Sequence, residues 1–494
     1  MARNTTPSAG RPAAGTRLAV QIASVGAGAM GVARHDGFTL LVPRGLAGEQ
    51  VEVVVEKLHP RYAVARREKV LRSADDQAQP RCDHFARCRG CDWQHLAYPS
   101  QLARKRQVLE DQLHRIGGLI PPAGWQITPS ETPYEYRDKL EFALIHQDGG
   151  ARAAFHGQPG APFVAIDRCH LAPPEFSEAA NAAARIFSHR PAPDPASDPA
   201  SDLETPPAGG AGGGRTVPAQ PLRITVQAAT APGEPERSGM ALTIHFAEIP
   251  AWLREAQARR RALAQLAAAA PSLITVALAA GGKKKGGAAL DVLKGSPVLG
   301  KVVGEWHYLV PLLHFFQVHP RQAALMVTAV RDALQEGLAE ARQGAPLVMD
   351  LFCGVGLFSL PLAAAGFRLA GVEKEREAVR AARESARAAN VAGCAFQAAD
   401  LARPGVLADL VRRHGPPAGI LVNPPRAGLP APLTAALLRL APQRLVYVSC
   451  DGGTFARDAK RLAPRYQLTA LRGFDLFPQT HHLETLAVFT PRQG

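Results

Sequence analysis

An α/β protein is predicted, with an amino-terminal β-barrel, a central α+β segment and a carboxy-terminal doubly wound parallel sheet. Three observations predict it. An apolar run, PLVMDLFCGVGLFSLPLA over 346–363, carries Asp350 and is followed by Gly354 and Gly356, which reads as a buried strand, a tight turn and a helix. Downstream, apolar runs alternate with helical periods, as a parallel sheet with crossover helices requires. Upstream, short runs of alternating polarity separated by glycines read as antiparallel strands.

The 494 residues suffice for two or three domains with their own cores, and 46% hydrophobic residues is ordinary for a globular chain. The formal net charge of +14 favours an anionic partner, nucleic acid ahead of a membrane surface. No run of about 18 apolar residues occurs, and the first fifteen residues lack an apolar signal core, so a cytoplasmic protein is expected. Seven cysteines make an odd number for a disulfide framework, which points to metal or catalytic use.

Residues 1–15 are small, polar and aperiodic and are expected to be a disordered tail. From 16 to about 75, LAVQIASV, FTLLVP and EQVEVVVEKL alternate, and the basic HPRYAVARREKVLR follows, which suggests a small OB-like barrel. A central domain is expected over 76–315. It opens with PRCDHFARCRGCDWQHL, where Cys82, Cys88 and Cys91 are spaced C-x5-C-x2-C, with Cys169 far away in DRCHL. Four thiolates suit zinc or an iron-sulfur cluster; zinc more often takes two CxxC pairs, whereas three clustered cysteines with a distant fourth suit a cubane. SQLARKRQVLEDQLHRIGG reads as a helix ended by glycines, its basic face solvated. Hairpins follow from Lys139, where Arg137 and Lys139 are candidate phosphate contacts. A flexible insertion is expected at 190–220 and a lysine-bearing glycine turn at 281–287. A last domain is expected over 316–494, with a long helix starting near Pro320.

In that domain the second strand ends at Glu373, 23 residues beyond Asp350, where a carboxylate can accept both ribose hydroxyls of a nucleoside cofactor. NAD and S-adenosylmethionine both fit; the turn lacks the third glycine of GxGxxG, which favours the latter. Asp400 and the NPPR of Asn423–Arg426 fall at the next strand ends, the edge where open parallel sheets bind ligands. Cys450 ends an apolar strand before a helix, a position for a nucleophile whose thiolate the helix N-terminus and Arg426 are expected to favour. Glu484, in FPQTHHLE, is a candidate base at the start of the last strand.

Together these motifs resemble the RNA uridine-5 methyltransferase family, most closely its iron-sulfur 23S ribosomal RNA branch. CDHFARCRGCDWQH, DRCHL, FFQVHPRQA, DLFCGVG, NPPRAG, YVSC and FPQTHHLE stand in the family's order over nearly the whole chain, and the barrel resembles a TRAM domain. The resemblance implies a Rossmann-like methyltransferase domain acting on RNA as a monomer, without a membrane partner. It implies that Cys450 adds to C6 of a uridine, that Glu484 removes the C5 proton, and that Gln317, Phe352, Gly354, Gly356, Glu373, Asp400 and Asn423 line S-adenosylmethionine. It also implies a 4Fe-4S cluster on Cys82, Cys88, Cys91 and Cys169. Transfer RNA is the second substrate reading, and a non-catalytic RNA-binding or redox-sensing protein is the rival of another class. The chain departs from the family pattern at Asn423, where aspartate is usual, at Leu357, at SCDGG, and at Gln479, where a histidine is usual.

Overall fold

The computed structural model describes residues 11–147, 150–188, 221–281, 289–339 and 344–492. The first ten residues and the expected insertion at 190–220 lie outside these, as does the lysine turn apart from Gly281.

Strands β1 (Arg17–Gly26), β2 (Met30–His35), β3 (Phe38–Pro43), β4 (Gln50–Leu58) and β5 (Tyr62–Arg72) close into a barrel in the order β1-β2-β3-β5-β4. Alternation dictates the inside: Val51, Val53 and Val55 of β4 are buried with Val20, Ile22, Leu40 and Val42. Register shifts in β1 and along β4–β5 supply the bends that closure needs. A Cβ on Gly31 would lie 2.8 Å from the Gly45 Cα, so the strand can cross this loop only as glycine.

Chain contacts divide the protein into two units, one of Met1–Tyr136, Val302–Val310 and His314–Gly494, the other of Arg137–Lys301 and Pro311–Leu313. Residues 76–136, expected in the central domain, thus cluster with the carboxy-terminal domain. The reason is local: α1 (Tyr98–Gln112) leads to β6 (Gln126–Thr128), which joins the large sheet.

In the second unit β7 (Lys139–Gln147) and β8 (Gly150–Phe155) form the expected hairpin. With β9 (Val164–Ala165), β10 (Pro221–Ala231), β11 (Glu234–Phe246), β12 (Leu273–Ala280) and β13 (Ala289–Lys294) they run in the order β13-β12-β11-β10-β7-β8-β9. Helices α2 (Pro174–Ser188) and α3 (Ala256–Ala269) belong to the same unit. The Lys139 ammonium lies 3.5 Å from Glu141, so this candidate phosphate contact already has a carboxylate neighbour.

After β14 (Val298–Val303), β15 (Trp306–Pro311) and α4 (Pro320–Gly337) comes the large sheet. Its parallel strands are β16 (Leu347–Leu351), β17 (Arg368–Glu373), β18 (Cys394–Ala398), β19 (Gly419–Val422) and β20 (Arg444–Ser449). Helices α5 (Ser359–Ala364), α6 (Arg376–Ala388), α7 (Val406–His414), α8 (Ala431–Leu440) and α9 (Gly452–Leu462) alternate with them. The sheet is completed by β21 (Tyr466–Phe474) and β22 (Glu484–Pro491), in the order β18-β17-β16-β19-β20-β22-β21-β6. Strand β16 reads as an unbroken apolar run because both faces are covered. Val348 enters one core, and Leu347, Met349 and Leu351 enter the other. On either side of β16 the chain order diverges, which opens a crevice at its carboxyl end.

Candidate active site

Four adjacent strand ends form a shelf. Beyond β16 the Phe352 and Cys353 N–H groups both donate to the Val372 carbonyl, at 2.9 and 3.0 Å, which turns the chain sharply. Phe352, Gly354 and Gly356 have φ of +67°, +55° and +90°. The two glycines differ in role. Nothing lies within 4 Å of where a Gly354 Cβ would stand, whereas a Gly356 Cβ would come within 2.9 Å of Leu360. Gly354 therefore faces open space, whereas Gly356 packs closely against Leu360.

Glu373 ends β17, and its carboxylate accepts N–H bonds from Lys374 (2.6 Å), Glu375 (3.1 Å) and Gly354 (3.2 Å), which ties the glycine turn to the second strand. Asp400, just past β18, accepts from the Ala402 N–H at 3.0 Å. Asn423, just past β19, donates its own N–H to Leu351 at 3.2 Å. Gln317, in the loop before α4, is buried, and its Oε1 has no partner among the described residues. The same holds for Asp350 Oδ1, while Asp350 Oδ2 accepts from Ser359 at 2.6 Å. Burial pushes the Asp350 carboxyl up to about 7, against the Ser359 bond. Buried acceptors without a partner among the described residues at Gln317 and Asp350, and open space at Gly354, are what a polar ligand would fill, so these residues fit a nucleoside cofactor.

The second group sits where β20 meets β22. These strands are antiparallel with Ser449 opposite Thr485, and one further step of the same register sets Cys450 opposite Glu484. Asp451 caps α9 by accepting from the Thr454 N–H at 2.8 Å. Arg426 favours the Cys450 thiolate, as expected, but burial outweighs it. Burial, with the Glu484 charge behind it, pushes the Cys450 thiol up to about 11, and Arg426 opposes this without overcoming it. Burial likewise lifts Glu484 to about 8, again against Arg426. His482 is driven down to about 4 by burial and is neutral at pH 7. Cys450, Arg426, His481, His482, Lys105 and Trp93 line an open cleft that the Gly26–Gly28 turn of the barrel also borders.

The basic helical face expected to be solvated is partly core. Gln101, Lys105 and Leu109, four residues apart, form the buried stripe of α1. The fully buried Lys105 ammonium lies 2.5 Å from Asp475 and donates to the Phe477 carbonyl at 3.1 Å, while the Tyr98 hydroxyl donates to Asp475 at 2.8 Å. Burial lowers the Lys105 pKa, and Asp475 opposes that shift. Replacing Lys105 by methionine leaves Asp475 buried without its counter-charge and is expected to destabilise the fold by about 3–5 kcal/mol. Thermal and denaturant unfolding would measure the loss, and a Lys105→Met, Asp475→Leu double variant is expected to recover most of it.

Among the cysteines, Cys82, Cys88 and Cys91 share one unit and Cys169 belongs to the other. None of the four is in a disulfide. Gln94 donates to the Cys91 sulfur at 3.2 Å and the Gly90 N–H to the Cys88 sulfur at 3.3 Å. The Arg44 guanidinium donates to the carbonyls of Phe85 (2.7 Å), Cys88 (2.6 Å) and Cys91, which pins the segment to the barrel. Among the described residues no group of three or more His, Cys, Asp or Glu side chains is arranged to hold one metal ion. Soft sulfur donors held by N–H groups are compatible with a cluster, whose ligands bind separate irons and need not converge on one point.

The doubly wound sheet and its strand-end shelf are those of a domain that binds a nucleoside cofactor. Residues 315–492 match the family model for tRNA (uracil-5-)-methyltransferase, and 13–66 match the TRAM domain. The chain is 32% identical to the 23S rRNA (uracil(1939)-C(5))-methyltransferase RlmD of Alkalilimnicola ehrlichii, over 93% of each chain. It is 31% identical to an uncharacterized RNA methyltransferase of Nitratidesulfovibrio vulgaris, over 97% of each. The tRNA (uracil-54, C5)-methyltransferase of Pyrococcus abyssi, solved with S-adenosyl-L-homocysteine, shares the fold with a TM-score of 0.65 at 21% identity, covering 96% of this chain and 100% of that one. The chain belongs to the RNA uracil-5 methyltransferase family. No helix among the described residues is long and apolar enough to cross a membrane.

Proposed function

We propose that the protein methylates C5 of a uridine in 23S ribosomal RNA through a covalent adduct on Cys450. The observation that supports this reading is the β20–β22 pairing, which ends with Ser449 opposite Thr485 and leaves Cys450, at an open cleft, and the buried Glu484 as the next residues. Uracil C5 is a poor nucleophile until a thiolate adds to C6 and the ring becomes an enolate. S-adenosylmethionine, held at Gln317, Phe352, Gly354, Gly356, Glu373, Asp400 and Asn423, supplies the methyl group. Glu484 then takes the C5 proton, the C5–C6 double bond re-forms, and the Cys450 sulfur leaves. The uridine must leave its stack to reach the cleft, so base flipping is part of the reading.

The barrel over 16–75 would bind RNA, 316–494 would carry the reaction, and Cys82, Cys88, Cys91 and Cys169 would hold a 4Fe-4S cluster as a structural or RNA-positioning group. The 23S substrate is supported by the name of the Alkalilimnicola relative. The name of the matched family model favours transfer RNA as the second reading. Incubation with labelled S-adenosylmethionine and each purified RNA decides: label is expected in 23S RNA, and label only in transfer RNA would overturn the choice. Anaerobically purified protein is expected to be coloured and to carry iron and sulfide; a colourless protein with stoichiometric zinc would remove the cluster.

Gly354→Ala is expected to weaken S-adenosylmethionine binding by about tenfold while costing only about 1 kcal/mol of stability from its positive φ. Gly356→Ala is expected to destabilise more, because its Cβ meets Leu360. Equilibrium binding and thermal melts separate the two.

A further inference from the structure

Between the last grip on the catalytic loop and Glu484 stands a pair that the reaction scheme does not use. The Asp92 Oδ2 lies 2.6 Å from His481 Nδ1 and accepts the His481 main-chain N–H at 3.1 Å. From the same turn the N–H groups of Asp92 and Trp93 donate to the Gln479 carbonyl at 2.9 and 3.0 Å. Gln479 in turn exchanges two 3.0 Å bonds with Gln101, its side-chain oxygen accepting and its main-chain N–H donating. Four hydrogen bonds therefore join two consecutive residues, Asp92 and Trp93, to 479–481, three residues before Glu484. Asp92 follows Cys91 directly, and Arg44 holds the Cys88 and Cys91 carbonyls from the other side. His481 also lines the cleft with Cys450, so the brace ends at the reaction site.

We propose that Asp92 and His481 are positioning residues for the base: the cysteine segment reaches across to the FPQTHHLE loop and sets where Glu484 stands against C5 of the bound uridine. The inference rests on the covalent reading above, in which Glu484 acts after the adduct has formed. A brace on this loop acts on proton removal and leaves the Cys450 addition alone, because Cys450 is held separately by β20 and the cap of α9. Misplacement of a base by a fraction of an ångström slows its step by on the order of 10- to 100-fold.

The test compares Asp92→Ala, His481→Ala, His481→Asn and His481→Gln in the full-length protein. On uridine RNA the two alanine variants are expected to lose about 10- to 100-fold in kcat with KM for RNA and S-adenosylmethionine affinity within about twofold. On 5-fluorouridine RNA the C–F bond stands where the proton would leave, so the reaction stops at the methylated adduct. There all variants are expected to trap RNA at the wild-type rate within about twofold. An asparagine amide reaches where Nδ1 stood and a glutamine amide does not, so His481→Asn is expected to recover most of the turnover and His481→Gln little of it. Adduct trapping that falls in step with kcat, an unchanged kcat, or equal behaviour of the His481→Asn and His481→Gln variants would each overturn the brace. Should Asp92→Ala lose S-adenosylmethionine binding, the asparagine–glutamine comparison still decides. Wild-type protein that methylates uridine RNA yet traps no 5-fluorouridine RNA would overturn the covalent reading itself.

Discussion

Cys450→Ala is expected to abolish methyl transfer to RNA, by on the order of 10⁴-fold or more, while binding S-adenosylmethionine as tightly as the parent. The size of the effect follows from the chemistry. Without sulfur at C6 the C5 carbon has no enolate behind it, and no other group on the shelf can provide one. The two proposed functions separate along the sheet: apart from Gln317, the proposed cofactor residues stand at or just past the ends of β16 to β19, whereas Cys450 follows β20. The thiol starts with its pKa pushed up to about 11, so the uncharged form predominates at neutral pH, and its proton must pass to solvent in the open cleft to give the thiolate that attacks. Arg426 is the group that opposes this shift, and it lines the same cleft. Labelled methyl counts in RNA, beside equilibrium binding of S-adenosylmethionine, measure both arms. Methyl transfer that persists in Cys450→Ala would end the covalent reading.

The parts legible in the sequence were those with short-range signals. Val51, Val53 and Val55 alternate because one face of β4 fills a barrel, and Leu347 to Leu351 do not alternate because β16 is covered on both faces. The strand-end positions of Glu373, Asn423, Cys450 and Glu484 follow from where apolar runs stop. What was not legible depends on partners hundreds of residues away. Lys105 sits in a basic helical run whose default is solvation, and Asp475, 370 positions on, makes its burial tolerable. The three-residue β6 is too short for a period of its own and is defined by pairing with β21. The Asp92–His481 pair spans 389 positions and has no local signature. The balance at Cys450 was not legible for a related reason: the arginine that favours the thiolate is visible in a sequence, whereas the burial that outweighs it is not.

Glu484→Gln is expected to convert the protein from a turnover catalyst into one that accumulates covalent RNA adduct. The glutamine amide fills the same space but cannot take a proton, so addition and methylation proceed and elimination stalls, lowering kcat by about 10²- to 10⁴-fold. Denaturing gels of labelled RNA would show a protein-linked band that wild type lacks in the steady state; its absence, with methylation continuing, would remove Glu484 from the base role. The pH dependence gives an independent sign. Burial raises Glu484 from the ordinary carboxylate range to about 8, so near neutrality most of the enzyme carries the protonated acid. Proton removal needs the carboxylate, and the elimination rate is expected to climb as pH rises through about 8 and then level, an inflection that Glu484→Gln loses. Stability carries the opposite sign. Between the unfolded pKa of about 4.5 and the folded value near 8 the native state binds the extra proton, so this group's contribution falls as pH rises across that window. Glu484→Gln, which is always neutral, is therefore expected to melt at a higher temperature than the parent above pH 8 and to lose that advantage below pH 4.5. In the proposed base role, the buried carboxyl thus costs the fold stability under the conditions in which it would act, as expected for a carboxyl retained for chemistry rather than for packing.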